Sequence, residues 1–238
     1  MFLAVTFASS FVLFGVGTGF GGLQDIINQS GGSNGGPSAS SARERIEKNP
    51  KDAQAYHDLS TALQNDGKIE EAIPPLTTYV RREPADLDGQ RELAGLHLRE
   101  AEIFRAQAIA AQTALAEALP GQTFQPPSSS KIGQALSNDP ISNALSTEYN
   151  AALNKAFTAM QGHYTKAVGV YRKMAARQPR DSSLQFELAQ TAELGGDTKT
   201  AIAAYKRFLA LAPEDQSAPA VKARIKQLQA QVAAGTGG

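Results

Sequence analysis

The sequence predicts an all-α protein built from repeated pairs of helices, and three observations predict it. A tripeptide of proline, any residue and aspartate recurs at a fixed interval. Long stretches between these tripeptides carry apolar residues three or four apart, the period of a helical face. From about Ala42 onward the chain is dominated by Ala, Leu, Gln, Glu, Lys and Arg, all good helix formers, with few β-branched runs.

The first element stands apart. Met1 to Gln24 holds no ionisable side chain and includes Phe2, Leu3, Val5, Phe7, Phe11, Val12, Leu13, Phe14 and Val16. A helix from Phe2 to Leu23 would reach roughly 30 Å, the thickness of a bilayer core, so residues 1–24 are predicted to be a transmembrane anchor and residues 2–23 the membrane contact. A cleaved signal peptide, a buried core helix and a Gly-rich loop after a shorter helix compete with it. A basic leading region and an A-x-A site are missing, although Ala8-Ser9-Ser10 comes near one. Residues 25–42, centred on Gly31-Gly32-Ser33-Asn34-Gly35-Gly36-Pro37-Ser38-Ala39-Ser40-Ser41, hold little to bury and are predicted to be a flexible Gly/Ser linker.

Residues 43–233 are predicted to form the helical domain, with residues 234–238 a disordered tail. The tripeptides are Pro50-Lys51-Asp52, Pro84-Ala85-Asp86, Pro179-Arg180-Asp181 and Pro213-Glu214-Asp215. Each combines a helix stop with an N-cap: proline disfavours helix in the residue before it, and the aspartate accepts bonds from the free N–H groups of the next helix. Pro50 to Pro84 and Pro179 to Pro213 are equal steps, and Pro84 to Pro179 is one such step with an excess. A 34-residue period with one 61-residue insertion, about residues 101–161, follows.

Within the first unit, Tyr56, Leu59, Ser60 and Leu63 fall on one helix, Gly67 at a turn, and Ala72, Leu76 and Pro84 on or after a second helix. Pro74-Pro75 interrupts that second helix and predicts that it starts late or kinks. The middle unit is divided: Leu93 and Ala94 suit its first helix, and Gly162, Ala167, Tyr171 and Pro179 suit its turn and second helix. The insertion opens with Phe104, Ala108, Ala111, Leu115 and Leu119 and returns through Leu145, Tyr149, Leu153, Phe157, Met160, Tyr164, Val168 and Tyr171, all at helical spacing. Two matching arms of about 30 residues and roughly 45 Å are predicted, joined at a tip of Pro120-Gly121 and Pro126 to Ser130. The last unit carries Leu188, Ala189, Ala192, Gly196, Ala201, Tyr205 and Pro213. Val221, Ile225, Leu228 and Val232 then form the stripe of a capping helix.

These residues resemble those of the tetratricopeptide repeat family, which has the same period and whose small residues, here Ala72 and Ala201, let two helices approach closely. Tyr79 stands where that family prefers a small residue, which implies wider packing against the second unit. The resemblance, which extends to bacterial proteins with one span and an extracytoplasmic repeat domain, implies a membrane-anchored scaffold or adaptor that is not an enzyme. It implies a groove lined by the first helices: Gln54, His57, Thr61, Gln64 and Asn65, then Asp88, Arg91 and Arg99, then Ser183, Phe186, Gln190 and Glu193. The implied ligand is a protein or peptide. This set lacks the Lys/Asn/Arg clamp that some members close on a carboxy-terminal carboxylate. A self-associating structural protein, a homo-oligomer with an empty groove, is the alternative.

Composition narrows the chemistry. The chain has 238 residues, 23 basic against 23 acidic, and no cysteine, so thiol catalysis, thiolate metal sites and disulfides are excluded and no general attraction to nucleic acid is predicted. No cofactor or metal is predicted. His57, His97 and His163 are widely separated along the chain, outside metal-ligand spacing, and are predicted to be surface or partly buried helix residues. Gly17-Thr18-Gly19-Phe20-Gly21-Gly22 fits G-x-G-x-x-G without the strand and helix that a nucleotide site needs. Its glycines at four-residue spacing also suit close packing of two membrane helices.

Overall fold

The computed structural model describes residues 38–118, 130–131 and 140–235. Over those residues the chain forms eight helices: α1 (Ala39–Lys48), α2 (Ala53–Asn65), α3 (Ile69–Arg82), α4 (Leu87–Ala118), α5 (Pro140–Arg177), α6 (Ser182–Leu194), α7 (Thr198–Leu211) and α8 (Ala218–Gly235). The predicted span, most of the linker, most of the predicted tip and the last three residues lie outside the described residues. Among the described residues no helix is long and apolar enough to cross a membrane.

The Pro-x-Asp tripeptides do the local work their chemistry implies. Asp52 accepts from the Ala55 N–H at 3.0 Å and Asp181 from Leu184 at 3.1 Å. Asp86 accepts from Asp88 and Gly89, and Asp215 accepts from Ser217. A fifth cap, Asp197 to the Thr200 N–H at 3.0 Å, opens α7. The turns inside the first and last pairs close in the same way. Gly67 and Gly196 take φ of 75° and 74°, and the next N–H reaches back to Leu63 or Ala192 at 2.8 Å, which stops each first helix with its last carbonyls satisfied.

The middle pair omits that turn. Ala101, one repeat length after Gly67, is fully buried inside the long helix α4. Gly162, one repeat length before Gly196, is inside the still longer α5, where a Cβ would meet nothing within 4 Å. Both helices therefore run on past the point where a compact pair would turn, and they pack against each other. Ala101, Met160 and Tyr164 form a small core between them, with Leu98 and Phe104 alongside. The Tyr164 hydroxyl donates to Glu102 at 2.8 Å, and burial together with that carboxylate pushes its pKa up to about 12. Beyond Ala108 and Ala156 the facing stripes are only half-buried, and Phe157 is exposed at 47%, with its neighbour Ala156 buried in its place.

The main core lies where α4, α5, α6, α7 and α8 meet, around Met174, Leu184, Ala189, Ala201 and Phe208, and a second core holds Leu63, Ile69, Ala72, Leu76, Leu93 and Leu96. Ala72 and Ala201 are both fully buried, as close helix approach requires. Val221, Ile225 and Leu228 cover the last pair, while Val232 is exposed.

Two expectations are corrected, and a third position, Tyr79, is explained by its neighbours. The linker ends early: Ser38 caps α1 by accepting from the Ser41 N–H, and Ala42 is 1% exposed, because three small residues can open a helix that buries one of its faces. Helix α3 neither starts late nor stops at its prolines. Pro74 and Pro75 are its sixth and seventh residues, and the bonds they cannot donate would have gone to Glu70 and Glu71, exposed residues of the first turn that water can reach. Tyr79 is accommodated by its neighbour Gly89, where a Cβ would sit 2.6 Å from the ring, and its hydroxyl donates to Asp86 at 2.5 Å. That bond is the main cause that pushes the phenol up to about 12, with burial adding to it.

Candidate partner-binding groove

Gln54, His57, Thr61 and Gln64 recur at three- and four-residue steps and share one face of α2. The corresponding positions of α4 and α6 come beside it through a row of side-chain bonds from one unit to the next. His57 Nε2 meets Glu92 at 2.8 Å, and Gln64 donates to the other oxygen of Glu92 at 2.6 Å. Arg91 donates to Glu187 at 3.3 Å. At the amino-terminal end Arg45 of α1 is bonded to Asp58 and also pairs with Asp52 at 2.9 Å. The three acids Asp58, Glu92 and Glu187 recur in the same steps as the tripeptides, and they pair with Arg45 of α1, His57 of α2 and Arg91 of α4, so each repeat offers a carboxylate to a base on α1 or on the first helix of the preceding repeat.

The electrostatics follow from this half-buried row. The Glu92 carboxylate holds the His57 imidazole above its ordinary pKa against the opposing effect of burial. Burial works against the Glu92 charge, yet the bonds from His57 and Gln64 prevail and its pKa is lowered. Burial also opposes the Arg91 charge, and Glu187 more than offsets it, so that pKa is raised. At Glu187 the balance is reversed: burial pushes the carboxyl up more than Arg91 pulls it down. His57, Gln64 and Arg91, which the sequence offers to a ligand, are thus engaged within the protein and set the register of the first helices.

The third unit departs further from the expected groove. Phe186 packs its ring 5.0 Å from Phe208 and 6.0 Å from Tyr205, joining the edge of the main core. Glu193 accepts from Arg224 Nε of α8 at 2.8 Å and from the Tyr205 hydroxyl at 3.1 Å, tying α6, α7 and α8 together. Phe186 thus meets α7 near the start of α6, and Glu193 meets α7 and α8 near its end. Thr61 is half-buried and donates to the His57 carbonyl, while Gln54 is exposed and bonded to Asp58. Asp88 is exposed beside Arg91, and Ser183 and Arg99 are exposed. The side chains of Asn65 and Gln190 make no hydrogen bond or ion pair to a described residue. What remains open is a polar surface of mixed charge.

The histidines separate into two environments. His57 belongs to the row of pairs. His97 is buried at 5% exposure, and its Nδ1 lies 3.2 Å from His163 Nδ1, a pairing between distant parts of the chain that spacing alone concealed. Burial, reinforced by His163 and Lys166, drives the His97 pKa down to about 4, and burial also lowers that of His163. Neutral rings satisfy each other there, one donating and one accepting. Among the described residues no three His, Cys, Asp or Glu side chains converge to hold a metal.

Comparison with known proteins gives two matches. One tetratricopeptide repeat family profile matches residues 33–102 and another matches residues 160–216, which together span more than half of the chain. No curated protein matches it.

Proposed function

The chain belongs to the tetratricopeptide repeat family, and from that premise we propose that it is a membrane-anchored protein–protein interaction scaffold whose first helices present a polar groove to a protein or peptide partner. The observation that carries this reading is the row of cross-repeat bonds. His57 and Gln64 to Glu92, and Arg91 to Glu187, fix three first helices side by side, and Asn65, Arg99 and Gln190 sit on them at positions with no such engagement. A rigid face with open donors and acceptors can be read by a peptide at low ordering cost. Of the unmatched residues 103–159 between the two family matches, 103–118 belong to α4 and 140–159 to α5. In this reading they form an inserted helical hairpin that extends the contact surface, and Ser183, Asp88 and Gln54 border the groove. The anchor is residues 2–23, supported by the absence of any ionisable side chain from Met1 to Gln24, with the repeats extracytoplasmic by likeness to single-span bacterial proteins.

The test is co-purification from native membranes of the full chain carrying N65A, R99A and Q190A together. Loss of partners with an unchanged melting temperature supports the groove; an unchanged partner set overturns it. Membrane fractionation with protease protection tests the anchor and its sidedness.

A second reading, self-association without a peptide ligand, has its own support in exposed apolar side chains on the long helices, Ile109 at 55% and Phe157 at 47%. A mass that does not change with concentration would refute it.

A further inference from the structure

We propose that a second recognition site lies in the cleft between the turn of the first repeat and the adjoining faces of α4 and α5, and that it takes one arginine or lysine side chain of a partner protein, flanked by an apolar residue. The cleft has a volume of about 730 Å³ and shares none of the groove residues. Its distinguishing group is Glu100. That side chain is 4% exposed and lines the cleft, yet it makes no hydrogen bond or ion pair with any described residue. Asp58, Asp86, Glu92, Glu102, Glu187 and Glu193, by contrast, are each bonded to a neighbouring side chain. No buried side-chain nitrogen or oxygen among the described residues lacks a hydrogen-bond partner, so the unbonded Glu100 oxygens open into the cleft, where an arriving cation would meet them.

The surroundings select a long basic side chain over an anion or a bare metal ion. Glu70 and Glu71 join Glu100 around the cleft, against Lys68 and Lys155. Glu70 and Glu71 occupy the first turn of α3, where the helix dipole offsets part of their charge, so Glu100 carries most of the discrimination. Beside it Ile103 is 42% exposed and Phe104 half-buried. An aliphatic stem lying along these two would cover apolar surface while its charged head reached Glu100. Burial and the nearby Glu70 raise the Glu100 pKa against the opposing effect of Arg99, and a bound cation would lower it.

The test uses the full chain in mild detergent and two probes, a blocked Leu-Arg-Leu tripeptide and the same peptide with citrulline, the neutral isostere of arginine. Backbone NMR shifts on titration should be saturable with the arginine peptide, centred on Gly67 to Glu71 and Glu100 to Phe104, and about tenfold weaker or more with citrulline. E100Q should fold with a thermal midpoint equal to or above that of the wild type and should lose affinity for the arginine peptide by a similar factor. The citrulline comparison is made on the wild type and does not depend on the folding of E100Q. Equal responses to the two peptides, unchanged affinity in E100Q, or shifts centred on Asn65 and Gln190 would each overturn the proposal. The last of these would leave the groove reading intact.

Discussion

Replacing His97 by leucine removes the one buried histidine while keeping a side chain of similar bulk, and the structure assigns both sign and size to the result. The folded pKa is about 4 against an ordinary value of 6.5. Between those values the unfolded chain takes up a proton that the folded chain refuses, so stability is lost as pH falls below about 6.5 and the loss is complete near pH 4. At ~1.4 kcal/mol per pH unit the full effect is about 3 kcal/mol, and roughly 2 kcal/mol of it has been lost by about pH 5. For a folded unit of this size that is on the order of 4–8 °C in melting temperature. His57 acts in the opposite sense. Its raised pKa adds stability below the ordinary value, which is lost as pH rises through the raised one. His57 is remote from the substitution, so its contribution cancels in the comparison, whereas His163 loses its partner and is followed separately by NMR titration in both proteins. Thermal melts followed by far-UV circular dichroism at about pH 7.5 and about pH 5 should show the drop in the wild type shrinking by roughly 2 kcal/mol in H97L. An identical drop in both proteins would refute a neutral, buried His97 paired with His163.

Other substitutions test the fold at single positions. Gly196→Ala forces a side chain onto a φ of 74° and should cost ~1 kcal/mol, whereas Gly162→Ala, in a helix interior with open space around the Cβ, should gain about 0.5–1 kcal/mol, both read by thermal melts. A turn at Gly162 would give two losses. Gly89→Ala should destabilise by about 1–3 kcal/mol despite the better helix propensity of alanine, because the new Cβ would meet the Tyr79 ring at 2.6 Å; the additional change Tyr79→Ala should remove most of the clash. Asp181→Ala should cost ~1 kcal/mol in chemical denaturation through loss of the α6 cap. Glu92→Gln should lower the His57 pKa toward its ordinary value in an NMR titration; an unmoved pKa would contradict the bonded row.

The architecture was legible wherever one residue type has one backbone consequence. Pro-x-Asp marks a stop and a cap, Gly67 and Gly196 mark left-handed turns, and the excess in the middle interval located the two long helices because Ala101 and Gly162 keep the register of a turn they do not make. The start of α1 was hidden because Ser38 to Ser41 reads equally well as tether or cap, and tertiary burial of Ala42 decides between them. Pro74 and Pro75 misled because the cost of proline depends on which carbonyl is left free. The groove was the least legible part. Residue pattern places His57, Arg91, Phe186 and Glu193 on equivalent faces, but whether such a face meets solvent or the next element depends on partners far away along the chain. One signal for the internal pairing was present, namely the acids Asp58, Glu92 and Glu187 in step with the repeat. The His97 and His163 pair had none, since their meeting depends on how α4 and α5 align.

The claim that this chain is a scaffold that binds through its first helices is tested most directly by photo-crosslinking in cells. A crosslinking amino acid is placed singly at Asn65, Arg99 and Gln190 of the full chain, with Arg177, exposed at the end of α5, as the control position. The account predicts that all three groove positions capture the same protein, that the control does not, and that N65A or Q190A weakens capture at the other sites. Capture equal at the control position, or only of a second copy of the chain, would contradict it.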